Sequence, residues 1–155
     1  MDIKYAGKST TEKISEIREI LKNKNAKMTV VSSLVDIGWT LNLRGMDIKD
    51  TPVLISFMIV EEDKVLLFTD KSKTKKIEGE LSKVVEIKAY SDFYSYLEIY
   101  NGEKIYLDPA SINERIYKGL CDKNEIIFGR NISEDLKAIK NDVEIKNLEE
   151  TYVRD

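Results

Sequence analysis

The 155 residues are 42% hydrophobic and 34% charged, with 7 Gly and 2 Pro, which fits one globular domain and excludes disordered, collagenous and low-complexity chains. Lys and Arg number 25 against 28 Asp and Glu, a net charge of -3, which argues against a general nucleic-acid binder. Histidine is absent and Cys121 is the single cysteine, so Ser–His triads, Cys–His pairs, the usual zinc sites and any intramolecular disulfide are excluded, while carboxylate-only metal chemistry is not.

In chain order, Ser9 and Glu12 have capping-box spacing ahead of Ile14, Ile17, Ile20 and Leu21, which predicts an amphipathic helix closed by Asn23-Lys24-Asn25. Met28 to Ser32 reads as a short buried strand. Ser33 and Asp36 repeat the capping spacing and predict one or two helical turns over Leu34–Gly38. Trp39, Leu41 and Leu43 then alternate with Thr40, Asn42 and Arg44, which predicts a strand ended by Gly45. After Pro52, the run Val53–Val60 is apolar on both faces and predicts a central strand. Glu61–Lys64 makes a turn, and Val65–Thr69 returns as a hairpin partner.

The second half alternates strand and helix. Strands are predicted over Val84–Ala89, Lys104–Leu107 and Glu125–Phe128. Between them lie a helix capped by Ser91 with Phe93, Tyr96, Leu97 and Tyr100 on one face, and a helix capped by Ser111 and Glu114 with Ile112, Ile116 and Leu120. The pattern gives an α/β domain, a mixed sheet with helices on both faces. Asn141 and Glu144 then cap a last stripe of Ile145, Leu148, Tyr152 and Val153, still apolar in its final turn. Two readings fit that stripe: a chain that continues past Asp155, or a terminal helix docked on its own domain.

Few residues carry chemistry. Glu61, Glu62 and Asp63 lie together in the predicted hairpin turn, where solvation is the ordinary fate of carboxylates. Asp70 and Asp108 end strands, where α/β sheets place their sites, and are the nominees for a carboxylate-metal hydrolase. The run Lys71-Ser72-Lys73-Thr74-Lys75-Lys76 reads as a solvated loop, with contact to phosphate or acidic protein as the other reading. Tyr94, Tyr96, Tyr100, Tyr106 and Tyr117 read as packing residues rather than a stacking platform. Cys121 has no partner that would activate it. No run approaches the length of a membrane span, and Met1–Tyr5 lacks an apolar leader run, so a cytoplasmic location is expected.

The segment Asp36-Ile37-Gly38-Trp39…Asn42-Leu43-Arg44-Gly45…Asp47…Pro52-Val53 is the most distinctive. Arg44 either pairs with Asp47 and braces the loop, the favoured reading, or points at a ligand or partner domain. The segment resembles the D-I-A-W-x-x-N-L-R-G-x-D-x-x-x-x-P-V stretch in the second domain of three-domain Xaa-Pro aminopeptidases, relatives of creatinase and prolidase; Gly38 stands where that pattern has Ala. Tyr5-Ala6-Gly7, Phe68-Thr69-Asp70 and Lys137-Ala138-Ile139-Lys140-Asn141 with Glu144 extend the similarity from Tyr5 to Asp155.

The resemblance implies a creatinase/prolidase N-terminal fold: a mixed sheet of about six strands with helices on both faces, ribonuclease H-like in topology. It implies a creatinase N-terminal-like domain over 1–140, with 141–155 as the first helix of an absent pita-bread catalytic domain. The parent enzyme would release the N-terminal residue before proline with a binuclear Mn or Zn centre. That centre needs a histidine, so no catalytic or metal-ligating residue and no cofactor is assigned to this chain. Its expected role is a spacer that orients the first domain and shapes substrate access, with the first and catalytic domains as partners and Asn42, Arg44 and Asp47 facing another domain or the substrate channel. The alternative is a stand-alone creatinase-like module that binds a peptide or small molecule.

Overall fold

A computed structural model of the chain describes residues 1–75 and 77–154. Its order is α1 (Ile3–Ala6), α2 (Thr10–Asn23), β1 (Met28–Val31), α3 (Leu34–Thr40), β2 (Ser56–Glu61), β3 (Val65–Thr69), α4 (Lys71–Thr74), α5 (Glu78–Leu81), β4 (Glu86–Ala89), a 3-10 turn (Tyr90–Asp92), α6 (Phe93–Leu97), β5 (Lys104–Leu107), α7 (Glu114–Cys121), β6 (Glu125–Phe128), α8 (Ile132–Ala138) and α9 (Asp142–Arg154). The six strands form one sheet in the order β4-β3-β2-β1-β5-β6. β2 pairs antiparallel with both β1 and β3, while the β1–β5, β3–β4 and β5–β6 pairs are parallel.

Strand periodicity divides the core into two layers, because successive side chains leave a strand on opposite faces. Met58 and Val60 of β2 with Val65 and Leu67 of β3 face α2, α3 and α8, where they meet Ile14, Ile17, Leu21, Ile37 and Ile132. Ile59, Leu66 and Phe68 face the other way with Ile105 and Leu107, under Phe93 and Leu97 of α6 and Ile116 and Leu120 of α7. Aromatic stacking fixes this second layer: the Phe57 and Phe93 rings lie 4.0 Å apart at 9°. Of the second-half tyrosines, Tyr100 and Tyr106 are buried and Tyr94 and Tyr96 half-buried at the rim, whereas Tyr117 is exposed beside the exposed Phe128 and is not a core packing residue.

Two of the predicted capping pairs form as their spacing requires. The Ser9 hydroxyl accepts from Glu12 N at 3.2 Å while Glu12 accepts from Ser9 N at 2.7 Å, a complete capping box for α2. Asn141 and Glu144 do the same for α9: Asn141 Oδ1 accepts from Glu144 N at 3.0 Å and Glu144 Oε2 from Asn141 N at 3.1 Å. At α7 the cap is Asn113, whose Oδ1 accepts from Ile116 N, and Ser111 instead hydrogen-bonds to Asp108 O. Ser33 flanks α3 without a side-chain cap bond.

One predicted strand is absent. Trp39 to Leu43 continues α3 and then turns, with Asn42 at φ 53. The alternation of Trp39, Leu41 and Leu43 coincided with a helical spacing, since Ile37 and Leu41 lie four apart on one buried face. The other face of α3 is held by α8: Asp36 pairs with Lys137 and accepts from Asn131 Nδ2 at 2.8 Å, and Thr40 donates to Ser133 Oγ at 3.3 Å. β2 also begins later than Val53, because residues 45–55 form a loop of their own. The basic run is a helical turn, with Asp70 capping α4 through Ser72 N at 2.9 Å; Lys76 of that run lies outside the described residues.

Ile59 has no exposed surface and packs in the central strand, whereas Ile99 is 57% exposed. Ile59→Ala is expected to cost about 2–5 kcal/mol through lost burial and a cavity, and Ile99→Ala to stay within about 0.5 kcal/mol. Urea denaturation midpoints of the two variants check this.

Candidate functional site

Five strands run one way and β2 runs the other, so the C-terminal ends of β1, β3, β4, β5 and β6 share an edge with the start of β2. Open α/β sheets place ligands at this edge. Residues 41–55 lie there and include the three candidate residues Asn42, Arg44 and Asp47.

The loop is anchored by a buried lysine. Lys13 of α2 has no exposed surface. Its Nζ donates to Trp39 O at 2.8 Å and Asn42 Oδ1 at 2.8 Å, and stands 4.2 Å from the Trp39 ring centroid. Asn42 is itself buried, donates to Lys8 O at 3.0 Å, and adopts the left-handed conformation that ends α3. Trp39 Nε1 donates to Glu144 Oε1 at 3.1 Å, which extends the chain of contacts from α2 through α3 to α9. Burial pushes the Lys13 pKa down to about 8, against the charge of Glu144, which holds it up.

Asp47 closes the rest of the loop. It accepts from Lys73 Nζ at 2.6 Å and from Ile55 N at 2.7 Å. These bonds, the Lys73 ammonium first, hold its carboxyl below the usual range. Gly45 N donates to Pro52 O at 3.3 Å and Asp47 N to Val53 O at 3.2 Å. A Cβ on Gly45 would lie 2.5 Å from Val53 O, so the two segments approach this closely only with glycine at that position.

Arg44 does not pair with Asp47. It is exposed, and Nη2 meets Met1 Sδ at 3.4 Å. The favoured brace is therefore corrected: Asp47 braces the loop through Lys73, whose ammonium reaches it from α4, and leaves Arg44 on the surface beside Met46, which is 96% exposed. Sequence reasoning missed Lys13, Trp39 and Lys73 as partners. Lys13 did leave a signal, since it lies four residues before Ile17 on an otherwise apolar helical stripe.

The remaining carboxylates are dispersed and engaged. Glu61 is buried rather than solvated, accepting from the Tyr100 hydroxyl at 2.6 Å with Lys64 3.7 Å away, while Glu62 and Asp63 are exposed. Burial, and then the bond to Glu61, push the Tyr100 phenol upward. Asp108 accepts from Ala110 N at 2.8 Å and Asn131 N at 3.1 Å. Asp70 follows β3 and Asp108 follows β5, three strand spacings apart or roughly 14 Å. Cys121 is half-buried, and burial raises its thiol.

Residues 1–144 match the family model of the creatinase/prolidase N-terminal domain. The chain belongs to that family. This creatinase/prolidase N-terminal domain is 39% identical to Xaa-Pro aminopeptidase 1 of Dictyostelium discoideum over 163 residues, covering all of this chain and 25% of that protein. Its structure is similar to that of an X-prolyl aminopeptidase from Caenorhabditis elegans, described as a cytosolic enzyme with a di-nuclear active site (TM-score 0.86, 27% identity, 94% of this chain and 25% of that one). It also shares its fold with an aminopeptidase P from Streptococcus thermophilus (TM-score 0.61, 15% identity, 83% of this chain and 98% of that one). The chain thus spans about a quarter of the length of the curated relative.

The creatinase/prolidase N-terminal domain does not fit a di-metal centre. Among the described residues no three His, Cys, Asp or Glu side chains come together to hold an ion. The buried carboxylates Asp36, Asp108 and Glu61 are each occupied by lysine, asparagine, tyrosine or backbone donors. No helix among the described residues is long and apolar enough to cross a membrane.

Two outcomes follow from the loop. A lysine whose native pKa is depressed binds fewer protons folded than unfolded, so stability rises with pH between the native and unfolded values. The difference in stability between the native chain and Lys13→Met is expected to change from about pH 8 to 10.5, in favour of the native chain, by at most about 3 kcal/mol; urea titrations across that range measure it. Asp47→Ala removes the surface ion pair to Lys73 and the bond to Ile55 N and is expected to cost about 1 kcal/mol, read as a lower denaturation midpoint.

Proposed function

We propose that this chain is the middle domain of a three-domain Xaa-Pro aminopeptidase and acts there as a non-catalytic spacer. The supporting observation is the match along its whole length to a quarter of a larger peptidase, in a chain that has no histidine. Cleavage of the bond before proline then belongs to another domain, which would carry the binuclear Mn or Zn. Residues 1–140 form the domain proper, and 141–155 begin the catalytic one.

The division of labour within the loop supports this role. Asn42 and Asp47 are internal braces, and Arg44 with Met46 is the surface they present to the neighbouring domain or the substrate channel. α9 suits a junction. Its start is tied to this domain by Asn141 Nδ2 to Ala6 O at 2.9 Å and Asn147 Nδ2 to Tyr5 O at 3.2 Å, while Tyr152 and Val153 are bare. Gly7, at φ 70, leaves the space that the Asn141 side chain fills.

The purified chain, incubated with Mn(II) and an Xaa-Pro peptide, is expected to give no turnover above blank; hydrolysis would contradict the spacer reading. In a full-length enzyme carrying this domain, Arg44→Ala is expected to lower kcat/KM about tenfold, or about 1.4 kcal/mol, with the domain's melting temperature unchanged. Unchanged kinetics would remove Arg44 from the interdomain surface.

A further inference from the structure

The edge of the sheet opposite the 41–55 loop holds a cleft of about 590 Å³, where the end of α2, the start of β1, the β2–β3 hairpin and the turn before β5 meet. That volume is in the range of small-molecule sites. Leu21 and Ala26 supply its apolar lining.

Its charges are of both signs, and not all of them are paired. Arg18 is half-buried and fixed in orientation by its Nε, which donates to Glu61 O at 2.8 Å. Its two Nη groups have no partner among the described residues, which leaves the end of the guanidinium fork open. Lys22, one helical turn further on, is also unpaired among the described residues, and so are the carboxylates of Glu19 and Glu103. The other charged groups are engaged: Lys27 lies 3.6 Å from Glu62, and Lys104 lies 3.3 Å from Glu125.

This balance selects the ligand. A simple anion would meet Arg18 and Lys22 but also two open carboxylates, and a simple cation the reverse. A molecule with one charge of each sign satisfies both sets. Its carboxylate would take the paired Nη donors of Arg18, the geometry for which the planar fork is suited. Its ammonium would take Glu19 or Glu103, and a small aliphatic side chain would cover Leu21 and Ala26. We propose that this cleft binds a short zwitterion, a free amino acid or dipeptide with an aliphatic side chain, at a site separate from the interdomain loop. The inference stands independently of the spacer role, because it uses neither the loop nor α9.

The test is an amide-resolved NMR titration of the 155-residue chain with glycyl-leucine. Saturable shifts confined to residues 18–27 and 102–104 are expected. N-acetyl-glycyl-leucine, without the ammonium, and glycyl-leucinamide, without the carboxylate, should each bind about tenfold more weakly. Arg18→Lys, which keeps the charge and loses the fork, should weaken glycyl-leucine by a similar factor, with its melting temperature confirming the fold. No saturation up to about 10 mM, shifts centred elsewhere, capped dipeptides that bind equally well, or inorganic phosphate that binds the cleft as tightly as the dipeptide would each overturn the proposal. The wild-type probe series decides the matter even if the variant is unstable.

Discussion

A lysine ammonium buried beneath a tryptophan is the constraint on which the edge carrying the 41–55 loop depends. A charge taken out of water is costly unless its hydrogen bonds are replaced. Lys13 replaces them with Trp39 O and Asn42 Oδ1, and its proximity to the indole face adds a cation–π contact. Those partners work only if α3 stops at Asn42 in the left-handed conformation, so the charge selects the turn, and the turn aims the chain into the 43–55 loop. The same tryptophan passes the constraint to Glu144 and the first turn of α9.

The buried and half-buried carboxylates that join the elements of this domain are spent on shape. Asp36 joins α3 to α8 through Lys137 and Asn131, Asp108 fixes the approach to α8, Asp47 ties the loop to α4, and Glu61 locks Tyr100 against the hairpin. Buried polar networks of this kind rigidify a fold when every member is satisfied. A carboxylate already holding a lysine and an amide has little left for a cation. In this creatinase/prolidase N-terminal domain these bonds hold the loop in one shape, and Arg44, Met46, Ile48 and Ile55 are among its exposed side chains.

What the sequence disclosed depended on how far apart the interacting residues lie. Capping boxes such as Ser9–Glu12 and Asn141–Glu144 act within four residues and were legible directly. The two-sided burial of Val53–Val60 marked the central strand, although the loop bonds of Asp47 to Ile55 delayed its start to Ser56. Trp39–Leu43 misled because Leu41 belongs both to the alternating pattern with Trp39 and Leu43 and to a helical one with Ile37, and the choice between them rests on α8, about ninety residues away. The Asp47 partner was hidden for the same reason: Lys73 sits 26 residues on, in a run whose composition reads only as solvated. The motif from Asp36 to Val53 named the fold family where periodicity could give only its class.

The coupling through Lys13 is tested most directly by hydrogen exchange on the native chain and on Lys13→Met. If the buried ammonium organises this edge, the amides of Leu43, Gly45, Asp47 and Ile55 lose protection together with those of Glu144 and Ile145, while β2, β3 and β5 amides keep theirs. Loss spread evenly over the strands, or confined to α2, would contradict it.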